Sequence, residues 1–264
     1  MTFKSCLLAA ALAVALPGAA TAQTAGQTSA EKAKAEMNAA STALQPEAKA
    51  AIERMGTYLR SLTSFEVVAE GYSEEVLDDG EKITFPGKLT YQMVAPNKLF
   101  AEISNDRKQR RLYFNGEKVT VYAPRVNYYA DFDFKGTIRE MMAAADDKYS
   151  VDFPLQDLFL WGKPETPMPT SGFWVGPERV GDVKVDHYAF RQPGVDWQVW
   201  IAQGDKPLPM RIVMTNTDDE SRPQYGARLS WQPDITITSD RFTFVPNDKA
   251  SRIKIEPNPR ETAK

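Results

Sequence analysis

The sequence predicts an α+β fold, a largely antiparallel β-sheet with helices packed against it, and three observations predict it. Short β-rich runs joined by tight turns fill residues 64–133, and a second such series runs from residue 172 towards the C-terminus. An apolar stripe at helical spacing precedes the first series, and helical pieces separate the two. The stretch Asp196–Thr217, DWQVWIAQGDKPLPMRIVMTNT, reads as a β-hairpin with one apolar face. Period-two alternation places Trp197, Val199 and Ile201 on one face of its first strand, and Met210, Ile212 and Met214 on one face of its second. Pro207 and Pro209 have no backbone donor and belong at the turn and the strand edge.

Residues 1–22 carry the marks of an export signal. Lys4 is a positive n-region, Cys6–Leu16 is an apolar run, and Ala20-Thr21-Ala22 is a small-x-small cleavage pattern before Gln23. The run is too short to span a bilayer, and no later stretch approaches about 18 consecutive apolar residues, so no transmembrane segment is expected. Cys6 opens the run and does not stand at the cleavage point, where a lipid-modified cysteine belongs, so a soluble exported protein is expected. Cleavage after Ala22 leaves 242 of the 264 residues, with no cysteine, 31 Lys+Arg and 35 Asp+Glu, a formal charge of −4. A chain of that length builds a core without disulfides. Thiol catalysis and cysteine-based metal sites are excluded, and the charge balance lacks the basic excess of a nucleic-acid binder.

Residues 23–45 are rich in Ala, Ser, Thr and Lys and bury too little to order themselves, so a flexible lead or a frayed helix is expected. Pro46 stands where a first helical turn tolerates it, and Ile52, Met55, Leu59 and Leu62 follow at spacings of three and four, which predicts an amphipathic helix over 46–62. FEVVAEGY, KITFPGKLTYQMV, NKLFAEI, RRLYFN, KVTVYAP and NYYADFDF then read as six strands. Asn115-Gly116 predicts a type I′ turn, which needs positive φ at both positions. Consecutive strands with short turns argue for a meander and against βαβ units.

Ile138, Met141, Met142, Ala145 and Tyr149 mark a helix near 136–149, and Pro154 opens a shorter one through Trp161. Pro164, Pro167 and Pro169 space a connection. GFWVGPERV, VKVDHYAFRQ, DWQVWIAQ, MRIVMTNT, QYGARLSWQ and DITITSDRFTFVP supply the second strand series. No fixed-period repeat is present, so residues 46–256 are expected to form one domain, with 257–264 as a tail.

The chemistry-bearing residues are sparse. His187 is the only histidine, and a lone histidine on a strand is more often structural than catalytic. The acidic groups Asp218-Asp219-Glu220, Asp146-Asp147 and Asp131/Asp133 read as solvated turns, with no H-E-x-x-H or EF-hand spacing, so neither metal nor cofactor is expected. No G-x-S-x-G, S-x-x-K or P-loop motif is present, and no catalytic residue is assigned. Arg107, Lys108, Arg110 and Arg111 form a basic cluster, read as a charged loop guarding an edge or as a docking patch for anionic headgroups. Aromatic and Met residues such as Tyr91, Met93, Trp197, Met210, Met214 and Trp231 recur on the strands. Composition leaves open a solid core or an apolar cavity, and Met suits a site that adapts to flexible acyl chains.

WIAQGDKPLPMRIVMT resembles the tryptophan strand, Gly-containing turn, Leu-Pro and apolar strand of periplasmic lipoprotein carriers. SWQPDITITSDRFTFVPNDKASRI resembles the closing motif of that superfamily, with Asp240, Phe242 and Phe244 before Pro246. YQMVAPNKLFAEI and LYFNGEKVTVYAP resemble its early strands. The likeness covers about residues 46–255 in order, and the chain is similar to a family of predicted periplasmic proteins related to LolA, LolB, LppX and RseB. It implies an unclosed, curved antiparallel β-barrel with helices covering the concave face. The implied activity is non-catalytic: holding lipid, or the acyl chain of a lipoprotein, in the periplasm. This chain is longer than the carriers around residues 135–170, and no site residue is carried over from their functional arginine. With the apolar faces pointing inward, Leu89, Tyr91, Met93, Val199, Ile201, Ile212 and Met214 are the expected ligand-lining residues; a one-residue slip inverts that set. An RseB-like sensor docking an envelope protein, with a filled core, and a hydrolase with polar groups around His187 are the alternatives.

Overall fold

The computed structural model describes residues 42–149, 155 and 167–255, with residues 31, 32, 34, 37 and 38 before them. The chain divides into two compact units, Met1–Ala40 and Ser41–Lys264. In the first, the described residues are helical, and the expected signal segment 1–22 lies outside them. The second unit carries the sheet.

Helix α1, Pro46–Ser61, begins with proline in its first turn and buries Ala48, Ala51, Ile52, Met55, Gly56 and Leu59 along one stripe. Helix α2, Ile138–Tyr149, starts at a capping box: the Glu140 amide donates to Thr137 Oγ1 at 3.3 Å, and the Thr137 amide donates back to the Glu140 carboxylate at 2.8 Å. The Ile138 amide also donates to the Pro96 carbonyl at 2.9 Å, which fastens the helix to a strand turn.

The first strand series is β1 Ser64–Val76, β2 Lys82–Val94, β3 Lys98–Ser104, β4 Gln109–Phe114, β5 Lys118–Ala123 and β6 Tyr128–Asp133. The second is β7 Ser171–Val180, β8 Val183–Gln192, β9 Val195–Ala202, β10 Pro209–Asn216 and β11 Gln224–Pro233, with the short β12 Ser251–Arg252. They form one sheet in the order β12-β6-β5-β4-β3-β2-β1-β11-β10-β9-β8-β7. Each series is a meander, and the two join where β1 pairs antiparallel with β11. Only β12 runs parallel to its neighbour, β6. The edges β12 and β7 do not meet, so the result is an α+β fold with a curved, unclosed antiparallel half-barrel.

Alternation divides the sheet into two faces. On the inner face, Phe65, Tyr91, Leu99, Phe114, Val119, Leu229 and Val199 share one buried cluster with Ile52 and Met55 of α1 and Met141 and Met142 of α2. The helices therefore cover that face.

Three features differ from the sequence expectations. The segment 234–246 is not a strand: Asp234 takes φ of 59°, a 3-10 turn covers Ser239–Phe242, and the segment crosses the outer face. There Phe244 lies 4.8 to 5.4 Å from the rings of Tyr113, Tyr122 and Tyr129, and Arg241 lies 3.6 Å above Phe100. Its Ile/Thr alternation imitates a strand, but an aromatic row on β3–β6 holds it. Second, Gly116 alone has positive φ in the β4–β5 turn, so it is not type I′; the Asn115 side chain accepts from the amides of Glu117 and Lys118 instead. Third, the lead joins the sheet before α1: the Gln45 amide donates to the Gly172 carbonyl at 2.8 Å, and the Gly172 amide to the Ala43 carbonyl at 3.2 Å. The helix expected from Pro154 to Trp161 lies outside the described residues except for Leu155, which is buried in the core.

Candidate functional site

All seven ligand-lining candidates point to the inner face. Leu89, Tyr91, Val199, Ile201 and Ile212 are buried members of the main cluster, and Met93 and Met214 are partly buried against it. The face is not one continuous pocket wall, because β1 and β11 stand between the two groups. Leu89 lies opposite Ala69, which lies opposite Leu229. Ile212 lies between Val199 on one side and Ala227 on the other. The five sealed residues are floor. The partly buried apolar side chains beside that floor include Met93, Met210 and Trp231 at one end of the strands and Met214 and Tyr225 at the other.

Local geometry sets each of these. A bulge between Pro209 and Arg211 breaks the alternation at Met210, which packs against both the inner cluster and a smaller outer one. The Trp231 indole donates to the Pro209 carbonyl at 2.7 Å, so the same irregularity supplies the partner its N–H needs. Trp197 stacks on Phe190 at 4.3 Å, and its indole donates to Gln192 at 3.2 Å. Burial pushes the Tyr225 phenol up to about 12. Tyr225 and Trp231 escaped the expected set, although the period-two reading of QYGARLSWQ puts them on one face with Ala227 and Leu229.

The outer face carries the polar chemistry. His187 is buried, with Nδ1 2.9 Å from Glu178 Oε1 and Nε2 3.0 Å from Gln198 Oε1. Its ring stacks on Trp200 at 4.0 Å, and the Trp200 indole donates to Glu178 Oε2 at 2.8 Å. Arg211 lies 4.6 Å from the same indole. The Trp200 hydrogen bond holds the Glu178 carboxyl below the usual carboxylate range; burial opposes this, and His187 adds to it. Both imidazole nitrogens are engaged, which leaves neither to serve a substrate proton. The cluster is a cross-strand clasp over β7–β10.

Of the basic cluster, Arg111 pairs with Glu102 at 2.7 Å and Arg107 lies 4.2 Å above Phe85, so two of its four charges are absorbed locally. Open grooves also lie among the described residues. One, of about 440 Å³, is lined by Glu70, Lys88 and Asp106 among others, and one of about 400 Å³ by Glu178, Arg179 and Lys184 among others; none of the seven candidates lines either. Among the described residues no group of three His, Cys, Asp or Glu side chains is placed to hold a metal, and no helix is long and apolar enough to cross a membrane.

The family described as "Predicted periplasmic protein (DUF2092)" matches residues 48–256. No curated protein matches the chain. Among solved structures, LprF from Mycobacterium bovis is similar at 12% identity and a TM-score of 0.41, over 79% of this chain and 100% of that one. The Mycobacterium tuberculosis lipoprotein LppX is similar at 12% and 0.39, over 74% of this chain and 100% of that one. A LolA superfamily protein from Nitrosomonas europaea is similar at 11% and 0.36, over 74% and 96%. Likenesses this distant carry no argument about ligand or activity.

Proposed function

We propose that the chain, which belongs to the DUF2092 family of predicted periplasmic proteins, is a non-catalytic carrier that holds an apolar ligand, a lipid or the acyl chain of a lipoprotein, against the inner face of its half-barrel. The observation that carries this reading is the partly buried apolar surface at both ends of a sealed apolar floor, Met93, Met210 and Trp231 at one end and Met214 and Tyr225 at the other. Met and aromatic side chains adapt to a flexible chain, and the floor beneath them excludes water. Each methylene taken from water contributes about 0.8 kcal/mol, so a chain of about ten gains roughly 8 kcal/mol before the cost of immobilising it. Helices α1 and α2 share the cluster with the floor, so exchange of a deeply held chain requires one of them to shift. The protein works as one domain over residues 46–256 after export, with no cofactor.

Native mass spectrometry with lipid extraction, on protein recovered from a periplasmic fraction, tests the reading. Co-purified lipid or acylated peptide, lost in Met93→Glu or Met214→Glu while the fold persists, supports a carrier. An empty protein that also ignores acyl probes overturns it. That outcome favours the second reading, a protein-docking role, which rests on the exposed side chains of Val126, Tyr128 and Ile253 around the β6–β12 edge.

A further inference from the structure

The inner face has a rim as well as a floor. Tyr225 is the first inner-facing residue of β11 after the β10–β11 turn, directly opposite Met214 on β10 and Ser73 on β1. One step further in, Ala227, Ile212 and Val199 form sealed floor. The Tyr225 ring packs against the apolar cluster, yet no described residue hydrogen-bonds its hydroxyl. Burial is the whole cause of the phenol's raised pKa, with no charged or hydrogen-bonding group contributing. No side-chain polar atom among the described residues is both fully sealed and unpaired, so this hydroxyl remains within reach of solvent or a ligand. Other large polar aromatics of this face are served: Trp231 by the Pro209 carbonyl, Trp197 by Gln192, and Tyr188 by Arg54. A donor that no protein group engages and only water serves is free to exchange that water for a bound acceptor.

We propose that the Tyr225 hydroxyl donates a hydrogen bond to the polar head of the bound ligand, an acyl chain ending in a carbonyl oxygen, with the chain running inward over Met214 towards Ile212. This rests on the carrier reading and adds a polarity to it: tail over the floor, head at the rim. A neutral phenol at neutral pH is a donor that serves a carboxylate and an ester carbonyl alike, so free fatty acid and esterified lipid share the chemistry.

The test is fluorescence titration of wild type and Tyr225→Phe with three probes: cis-parinarate, its methyl ester, and diphenylhexatriene, which is apolar and has no acceptor. The substitution removes one oxygen and leaves the ring, so the fold is retained, which an unchanged melting temperature verifies. Tyr225→Phe is expected to weaken a carbonyl-headed probe by about tenfold, the scale of one hydrogen bond to a charged or well-desolvated acceptor, and to leave diphenylhexatriene unchanged. Loss confined to cis-parinarate assigns a free carboxylate; loss for acid and ester together assigns an acyl carbonyl. Equal loss for all three probes, or loss for none, overturns the anchor and leaves the carrier intact. A wild type that binds no probe takes both readings down together.

Discussion

Ile212 on β10 stands directly opposite Val199 on β9, at 1% and 0% exposure, whereas Met214, two residues along the same face and opposite Trp197, stays partly open. Two neighbours of one hairpin thus have different work. Ile212 belongs to the sealed floor, and Met214 presents apolar surface.

The two positions therefore respond differently to charge. Ile212→Glu buries a carboxylate without a partner, and the variant is expected to unfold or accumulate as aggregate. Ile212→Ala costs about 2–5 kcal/mol. Met214→Glu folds with a loss of about 1 kcal/mol, because its head reaches water, but it no longer retains ligand. Urea unfolding followed by circular dichroism measures the first two, and lipid extraction the third. A Met214→Glu protein that keeps its lipid contradicts the division.

Gly172 is where the lead meets the sheet. A Cβ there falls 2.7 Å from Phe190 Cε1 and 3.1 Å from Leu44 Cδ1, and the same residue bonds Ala43 and Gln45 through its backbone. Gly172→Ala is expected to cost about 1–3 kcal/mol by overpacking and to free residues 43–45. Hydrogen exchange at the Gln45 and Gly172 amides reads it, and unchanged protection sinks it.

The outer strap is separable from the ligand. Phe244→Ala removes three ring contacts, with Tyr113, Tyr122 and Tyr129, and is expected to lower stability by about 2 kcal/mol while leaving acyl-probe affinity at its wild-type value. A parallel loss of probe binding contradicts the assignment of the two faces.

Acid loosens the β7–β10 clasp. The Glu178 carboxyl sits below its ordinary 4.5 chiefly through the Trp200 indole, so the unfolded chain takes up this proton first as pH falls. Its stabilisation is complete above that ordinary value and is lost as pH drops through the lower folded one. Glu178→Gln is expected to lose less stability than wild type between neutral pH and about pH 3.5, read from urea midpoints at both. Identical losses refute the contribution.

The strands and both described helices were legible because their apolar residues keep strict periods of two and of three to four. The pairing of β1 with β11, which joins the meanders, was not: it is set by a contact more than 150 residues apart, which local periodicity does not encode. The strap over 234–246 misled for the converse reason, since alternation of Ile and Thr fits a strand until a long-range aromatic row captures the segment. For the candidate site, the face was legible and the depth was not. Sequence alternation ranks Ile212 and Met214 alike, and only tertiary packing seals one and leaves the other partly open.

Photolabelling with a diazirine-bearing fatty acid, followed by peptide mapping, tests the central claim most directly. Labels on the inner face, at Met93, Met210, Met214, Tyr225 or Trp231, and their suppression by excess unlabelled fatty acid, are the predicted result. Saturable labelling confined to the outer face, or no saturable labelling at all, contradicts an inner-face carrier.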